Sequence, residues 1–188
     1  MFSEILRATG HYTDDEVRLF ERAVRERRIP RKCVLLSKGE ISKSICYLLK
    51  GAVWQYDAIS ETEINVTDLH VEKEWVLNYQ SLLAQKPSAV NIEAFTDCHM
   101  LELSLEAVHY LVSRSIAFMQ LNRVLERAVD KMQFFDQAMS PAEKYKFILD
   151  HRPRLIQAFP LKIIASYLKI TPETLSRVRK SMAREGIS

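Results

Sequence analysis

Between Leu161 and Arg184 the chain reads LKIIASYLKITPETLSRVRKSMAR, and this stretch leaves little freedom of fold. Two short apolar patterns of helical spacing meet at Lys169-Ile170-Thr171. Pro172 prevents one continuous helix, because its ring removes an N–H donor and clashes with the preceding turn. It is accepted at the first position of a new helix, with Thr171 as N-cap. A joint of three residues makes the two helices cross steeply, as in a helix-turn-helix. Ile164, Ala165 and Leu168 supply the inner face of the first helix, Ala165 being small where the helices approach. Ile170 plugs the joint, and Leu175 and Val178 turn the second helix inward.

That inward face leaves Pro172, Glu173, Thr174, Ser176, Arg177 and Lys180 outward, concentrated in the N-terminal half of the second helix. In such a motif those positions meet base edges in the major groove. Arg177 suits guanine O6 and N7 with its forked guanidinium. Glu173 suits cytosine N4, or else orients Arg177 from one helical turn away. Thr171 and the amides behind it suit a phosphate at a helix N-terminus. Lys162, Lys169, Arg179 and Lys180 suit phosphates, which add affinity without sequence information. A solvated basic face on an amphipathic helical hairpin is the bland alternative.

Charge distribution favours the phosphate partner. Residues 141–188 hold ten Lys/Arg against four Asp/Glu, while residues 1–140 hold seventeen against twenty. The three cysteines, Cys33, Cys46 and Cys98, are widely spaced and form no CxxC, which fits buried thiols in a reducing compartment and no metal. No run of about 18 apolar residues exists and the N-terminus lacks a signal-peptide pattern, so the expectation is a cytoplasmic protein without a membrane partner. With four glycines, no phosphate-cradling loop and no nucleophile–base pair at motif spacing, the chain does not read as an enzyme.

Upstream the periodicity changes twice. Residues 13–27 open with a Thr cap and an acidic turn and carry Val17, Leu19, Phe20 and Val24 at helical spacing, which predicts a helix. From Ile29 to Leu103, short runs rich in Val, Ile, Tyr and Trp alternate with turn signals, the pattern of a small barrel or jelly roll. Lys50-Gly51 between two such runs signals a hairpin. Phe118, Leu121, Leu125, Ala128, Met132 and Phe135 then repeat at 3 and 4, a heptad seam that fits either a core helix or a dimeric coiled coil. Ser140-Pro141, with Glu143 three residues after the cap, ends that helix and starts another. A basic connecting stretch runs from the His151-Arg152-Pro153 break to Phe159-Pro160.

This order of parts resembles the CRP/FNR superfamily of transcription regulators. The resemblance spans nearly the whole chain and is carried by LLKGAVWQY, by the heptad helix and by IASYLKITPETLSRVRK, with E-T-L-S-R its most specific piece. It implies an α+β fold: an N-terminal helix and jelly-roll β-barrel of the cyclic-nucleotide-binding type over 1–114, a dimerisation helix over 115–139, and an all-α, winged-helix-like helix-turn-helix domain over 140–188. The wing is short or absent, since the sequence stops at Gly186-Ile187-Ser188. It implies a homodimer through residues 118–135, duplex DNA as partner, RNA polymerase as a further one, and Glu173, Arg177 and Lys180 on DNA-contacting positions.

The resemblance weakens at the effector site. Family members that bind cyclic AMP carry G-E-[L/F]-[G/A], then R-[S/T]-A some eight residues on. The matching stretch reads Lys73-Glu74-Trp75-Val76 and then Lys86-Pro87-Ser88-Ala89. Glu74, Ser88 and Ala89 persist, whereas Lys73 replaces the glycine and Pro87 the arginine. Losing a charge-assisted contact to phosphate costs about 1.5–3 kcal/mol, which argues against a cyclic nucleotide. Glu74, Trp75, Tyr79, Ser88 and Ala89 remain as the pocket of an unidentified effector. A barrel used only as scaffold is the alternative, as is a small-molecule-binding module whose helical tail contacts proteins. Clustered cysteines for an iron–sulfur site are missing, and none of His11, His70, His99, His109 and His151 stands out as a haem ligand. No cofactor is assigned.

Overall fold

The structure, a computed structural model, describes residues 1–60, 64–133 and 139–184. Two short helices come first, α1 (Phe2–Arg7) and α2 (Asp14–Ala23). Thr13 caps α2 in a reciprocal capping box with Glu16. The helix stops earlier than its periodicity suggests, because Arg25–Ile29 is strand β1, paired along β8. The remaining strands are β2 (Val34–Leu36), β3 (Ser44–Lys50), β4 (Ala52–Ala58), β5 (Ile64–Val71), β6 (Trp75–Val76), β7 (Asn91–Ala94) and β8 (Cys98–Ser104), with helix α3 (Tyr79–Ala84) between β6 and β7. They form two four-stranded antiparallel sheets, ordered β1-β8-β3-β6 and β2-β7-β4-β5.

Lys50-Gly51 is not a hairpin. β3 and β4 lie in different sheets, and Gly51 is the corner between them. Its φ is +100°, and a β-carbon there would stand 2.5 Å from the Asp97 carbonyl oxygen, so both backbone and space demand glycine. Between the sheets lie Ile29, Leu36, Leu48, Val53, Ile92 and Met100. The outer face of the first sheet, through Ile45, Leu101 and Leu103, is covered by α1, α2 and the helices after β8.

Those later helices are α4 (Leu105–Arg114), a 3-10 turn (Ile116–Leu121) and α5 (Asn122–Gln133). The helix expected over 115–139 thus opens with a 3-10 turn that runs directly into α5, and residues 134–138 lie outside the described residues. Ser115 is extended at φ −154°, and its hydroxyl donates to Glu16 at 2.6 Å, tying the turn to α2. Phe118 and Leu121 are buried in their own chain's core, and Val124, off the predicted seam, is the most buried described position of α5. Leu125 and Ala128 are half-buried. Met132 and Phe135 lie outside the residues whose side chains are described.

The last part is four helices: α6 (Pro141–His151), α7 (Pro153–Ala158), α8 (Leu161–Tyr167) and α9 (Pro172–Arg184). Ser140 and Glu143 form the expected capping box. The stretch after His151, expected as a connector, is helix α7, started by Pro153. These helices share a core with the outer face of the second sheet. Tyr145, Ile148, Leu155, Ile164 and Leu168 pack with Trp54, Val66, Leu69 and Val71. A bulge at Thr67 puts Val66 on the same face as Leu69 and Val71, so β5 presents three apolar side chains to the helices.

Candidate nucleic-acid interface and barrel cavity

Helices α8 and α9 meet as the sequence requires. Ile164, Ala165, Leu168 and Leu175 are fully buried, and Ile170 and Val178 are half-buried against them. Thr171 caps α9 by accepting from the Thr174 amide at 3.2 Å. With the inner face satisfied, Pro172, Glu173, Ser176, Arg177, Arg179 and Lys180 are exposed, and Thr174 is half-exposed. Arg177 donates weakly to the Thr174 hydroxyl at 3.4 Å rather than pairing with Glu173. Lys162 is exposed on the first turn of α8, as is Thr171 at the joint.

Lys169, expected on a phosphate, is turned the other way. Its ammonium donates to the Val66 carbonyl at 2.7 Å and to Asn65 Oδ1, both on β5. Burial there pulls its pKa down. Lys169 holds a left-handed φ of 57°, which aims the side chain at the barrel. Ser166, one helical turn into α8, accepts from the Val66 amide at 3.0 Å and donates to the Ile64 carbonyl at 3.1 Å. β5 is an edge strand, and these contacts satisfy part of its open ladder. The helix-turn-helix is thus seated on the barrel by its first helix and its turn.

The five effector residues expected from sequence do not converge. Ser88 is buried and already bonded: it accepts from Asn78 Nδ2 at 2.8 Å and donates to the Val90 carbonyl at 2.5 Å. Its amide and the Gly39 amide bond across to the neighbouring loop at Glu40 and Ser88. Asn78, not Glu74, stands opposite Ser88, and its Oδ1 caps α3 at the Ser81 amide. Sequence reading missed Asn78, although its position three residues before Ser81 is a cap signal. Tyr79 packs half-buried on the helical layer, and Ala89 is exposed.

Glu74 and Trp75 instead line a cavity of about 290 Å³ at the end of the barrel beside α5. Trp75 stacks edge-on against Tyr47, 5.2 Å between centroids. From the inner face of the second sheet come Asp68 and His70; His70 is buried, 3.2 Å from Asp68 and 3.0 Å from Gln55 Nε2. Gln55 also donates to the Leu77 carbonyl at 2.9 Å. α5 contributes Val124, Arg127 and Ala128.

Arg152, the residue between α6 and α7, closes the cavity. Its Nη2 donates to both Glu74 oxygens at 2.8 and 2.9 Å and to the Leu69 carbonyl at 2.8 Å, and its Nη1 donates to the Tyr167 hydroxyl at 3.0 Å. Burial works against the guanidinium charge, but Tyr167, Glu74 and Asp68 outweigh it and raise its pKa. The same burial raises the Tyr167 pKa strongly. This hydrogen-bonded pair joins the β5–β6 turn to the helical unit. No sequence signal pointed to Arg152, because its partner lies 78 residues away.

A second cavity, about 520 Å³, opens between the sheets near Leu36, Cys46, Val76 and Ile92, with the Arg27–Glu102 pair at its rim. The Cys46 thiol is buried, and burial pushes its pKa up to about 12, which disfavours the thiolate. Among the described residues no helix is long and apolar enough to cross a membrane.

Over residues 26–115 the chain matches the cyclic nucleotide-binding domain family. No curated protein matches it. Among solved structures it is similar to FixK2 from Bradyrhizobium japonicum, with a TM-score of 0.74 at 14% identity, covering 87% of this chain and 86% of that one. The catabolite activator protein of Thermus thermophilus gives 0.57 at 19% identity over 97% and 88% of the two chains. The c-di-GMP-responsive global regulator CLP of Xanthomonas campestris gives 0.61 at 16% identity over 93% of each.

Proposed function

We propose that this chain, which has the fold of the CRP/FNR regulators, is a homodimeric, sequence-specific DNA-binding transcription regulator with a sensor barrel whose phosphate cassette is degenerate. One observation carries this reading: the polar, basic side of α9 is free of the core while its apolar side is buried. In the proposed complex Arg177 reads guanine, and Glu173 accepts from cytosine N4. Lys162, Arg179 and Lys180 hold phosphates, and Thr171 presents a helix N-terminus to another. Lys169 joins them only after leaving β5.

Dimerisation is assigned to the face that α5 and the preceding turn leave uncovered. Ile116 is 79% exposed and Met119 52%, and Leu125 and Ala128, further along the same helical stretch, are half-buried. Two large apolar side chains so exposed on one turn fit a surface that a second copy covers. RNA polymerase is a further partner of the DNA-bound form.

The test is a gel-shift titration against genomic fragments, repeated with Arg177→Ala at several salt concentrations. Loss of sequence preference and of about 1–3 kcal/mol of affinity is expected, with binding that weakens steeply as salt rises. Unchanged affinity and preference in the variant would remove Arg177 from its role. Binding indifferent to salt would instead favour a module whose helical tail contacts proteins.

A further inference from the structure

We propose that the cavity beside α5 is a site for a small organic monoanion, which acts on the DNA-binding unit by competing with Glu74 for Arg152. The site is separate from the Ser88 loop, whose polar groups are bonded to one another and do not line it. Its volume of about 290 Å³ is at the low end for small-molecule sites.

Charge selects the ligand class. Among the described lining residues, Lys73, Arg127 and Arg152 face the carboxylates of Asp68 and Glu74, one cation in excess. Arg127 donates to the Ala8 carbonyl at 3.2 Å, and neither it nor Lys73 has a carboxylate within ion-pair distance among the described residues. An excess of positive charge among the described lining residues, beside a partly enclosed space, favours an incoming anion. Trp75, Leu77, Val124 and Ala128 give the same space an apolar wall, which suits a ring or short hydrocarbon body on that anion.

Arg152 gives the site its consequence. It is held by Glu74 on the barrel and by Tyr167 of α8, the helix seated on β5. An anion that draws the guanidinium from Glu74 loosens the one ion pair among the described residues that spans the barrel and the helical unit. Lys169, Ser166 and the shared apolar core then hold the seat without it. The site stands independently of the DNA reading, whereas its effect on DNA rests on that reading.

Calorimetric titration of the full chain tests the site, using phenylacetate, phenethylamine as a cation of the same shape, and cyclic AMP. Phenylacetate is expected to bind and phenethylamine not to. Glu74→Gln, which removes the competing carboxylate, should tighten phenylacetate by about tenfold while lowering stability; a purely structural role for Glu74 would not tighten anything. Arg152→Ala should weaken phenylacetate at least tenfold in a variant whose circular dichroism remains native. No binding of phenylacetate, equal binding of the amine, or an affinity unmoved by Glu74→Gln would each overturn the proposal. Tighter binding of cyclic AMP, unaffected by either substitution, would also do so by placing the ligand elsewhere. A DNA titration with and without phenylacetate separates the two claims: no binding to any DNA sinks the regulator reading and leaves the site intact, while DNA binding unmoved by a bound anion sinks the coupling through Arg152.

Discussion

Three lysines sit in left-handed backbone where glycine is at ease, the first being Lys32 at φ 67°. Lys73 has φ 71° on the β5–β6 turn and Lys169 φ 57° in the turn of the helix-turn-helix. The β-carbon makes that conformation unfavourable by about 1–2 kcal/mol, partly offset by the chain entropy that a lysine saves relative to glycine. Lys73→Gly is therefore expected to raise stability by up to about 1 kcal/mol in urea denaturation, since no ion pair among the described residues is lost with it. Lys169→Gly relieves the same strain but removes an ammonium bonded to Val66 and Asn65, so its gain should be smaller or reversed. Equal gains at the two sites would mean that the Lys169 contacts carry no weight. Lys73 was legible as a departure from a glycine position. What Lys169 reaches was not, because a side chain's direction at positive φ depends on the neighbour that the fold supplies.

Among elements, the extended Ser115 before the 3-10 turn and the seat of α8 decide most. Glu16 accepts from the Ser115 hydroxyl at 2.6 Å and from the Thr13 amide at 2.7 Å, joining α2 to the 3-10 turn. The Ser115 bond, then that of Thr13, holds the Glu16 carboxyl below its ordinary range. A depressed folded pKa means that the unfolded chain takes up the proton first. This contribution is present above the ordinary carboxyl range and is lost as pH falls through the depressed value. Glu16→Gln should therefore differ from the parent in stability near neutral pH and converge with it in acid, as read by urea midpoints across pH; a difference independent of pH would assign the effect to packing. Ser166→Ala removes an acceptor from the Val66 amide and a donor to the Ile64 carbonyl. A loss of about 1–2 kcal/mol is expected, with faster hydrogen exchange at Val66. Unchanged exchange there would mean that α8 is not seated on β5 in solution.

At the scale of the whole molecule, the helical tail is no separate body. Residues 140–184 complete their core only against Trp54, Val66, Leu69 and Val71 of the second sheet. On the proposed regulator reading, swinging the helical unit away from the barrel exposes that shared surface, so the seat on β5 opposes such a movement. The assembly proposed around Ile116 and Met119 has its own test. Ile116→Asp puts a charge at a position 79% exposed in the single chain, so the fold should survive. Light scattering should report a monomer where the parent is a dimer, and affinity for a two-fold symmetric DNA site should fall by at least tenfold. A dimer that persists would move the interface elsewhere, with Phe118 and Leu121 excluded because they are buried in their own chain.

The helix-turn-helix, its Thr171 and Ser140 caps and the succession of short strands were readable from the sequence, because each follows from residues a few positions apart: apolar spacing, proline placement and hydroxyl caps. The same local logic misread Lys50-Gly51 as a hairpin and did not separate the core-facing from the outward positions of residues 115–139. Strand partners are chosen across the chain, and a buried Phe118 serves a core as well as a seam. Only the tertiary structure decided that Glu74 faces Arg152 rather than Ser88, that Lys169 turns toward β5, and that the barrel and the helical tail share one core. Each of these joins residues far apart in sequence, and no local pattern encodes which distant charge or edge strand a side chain will meet.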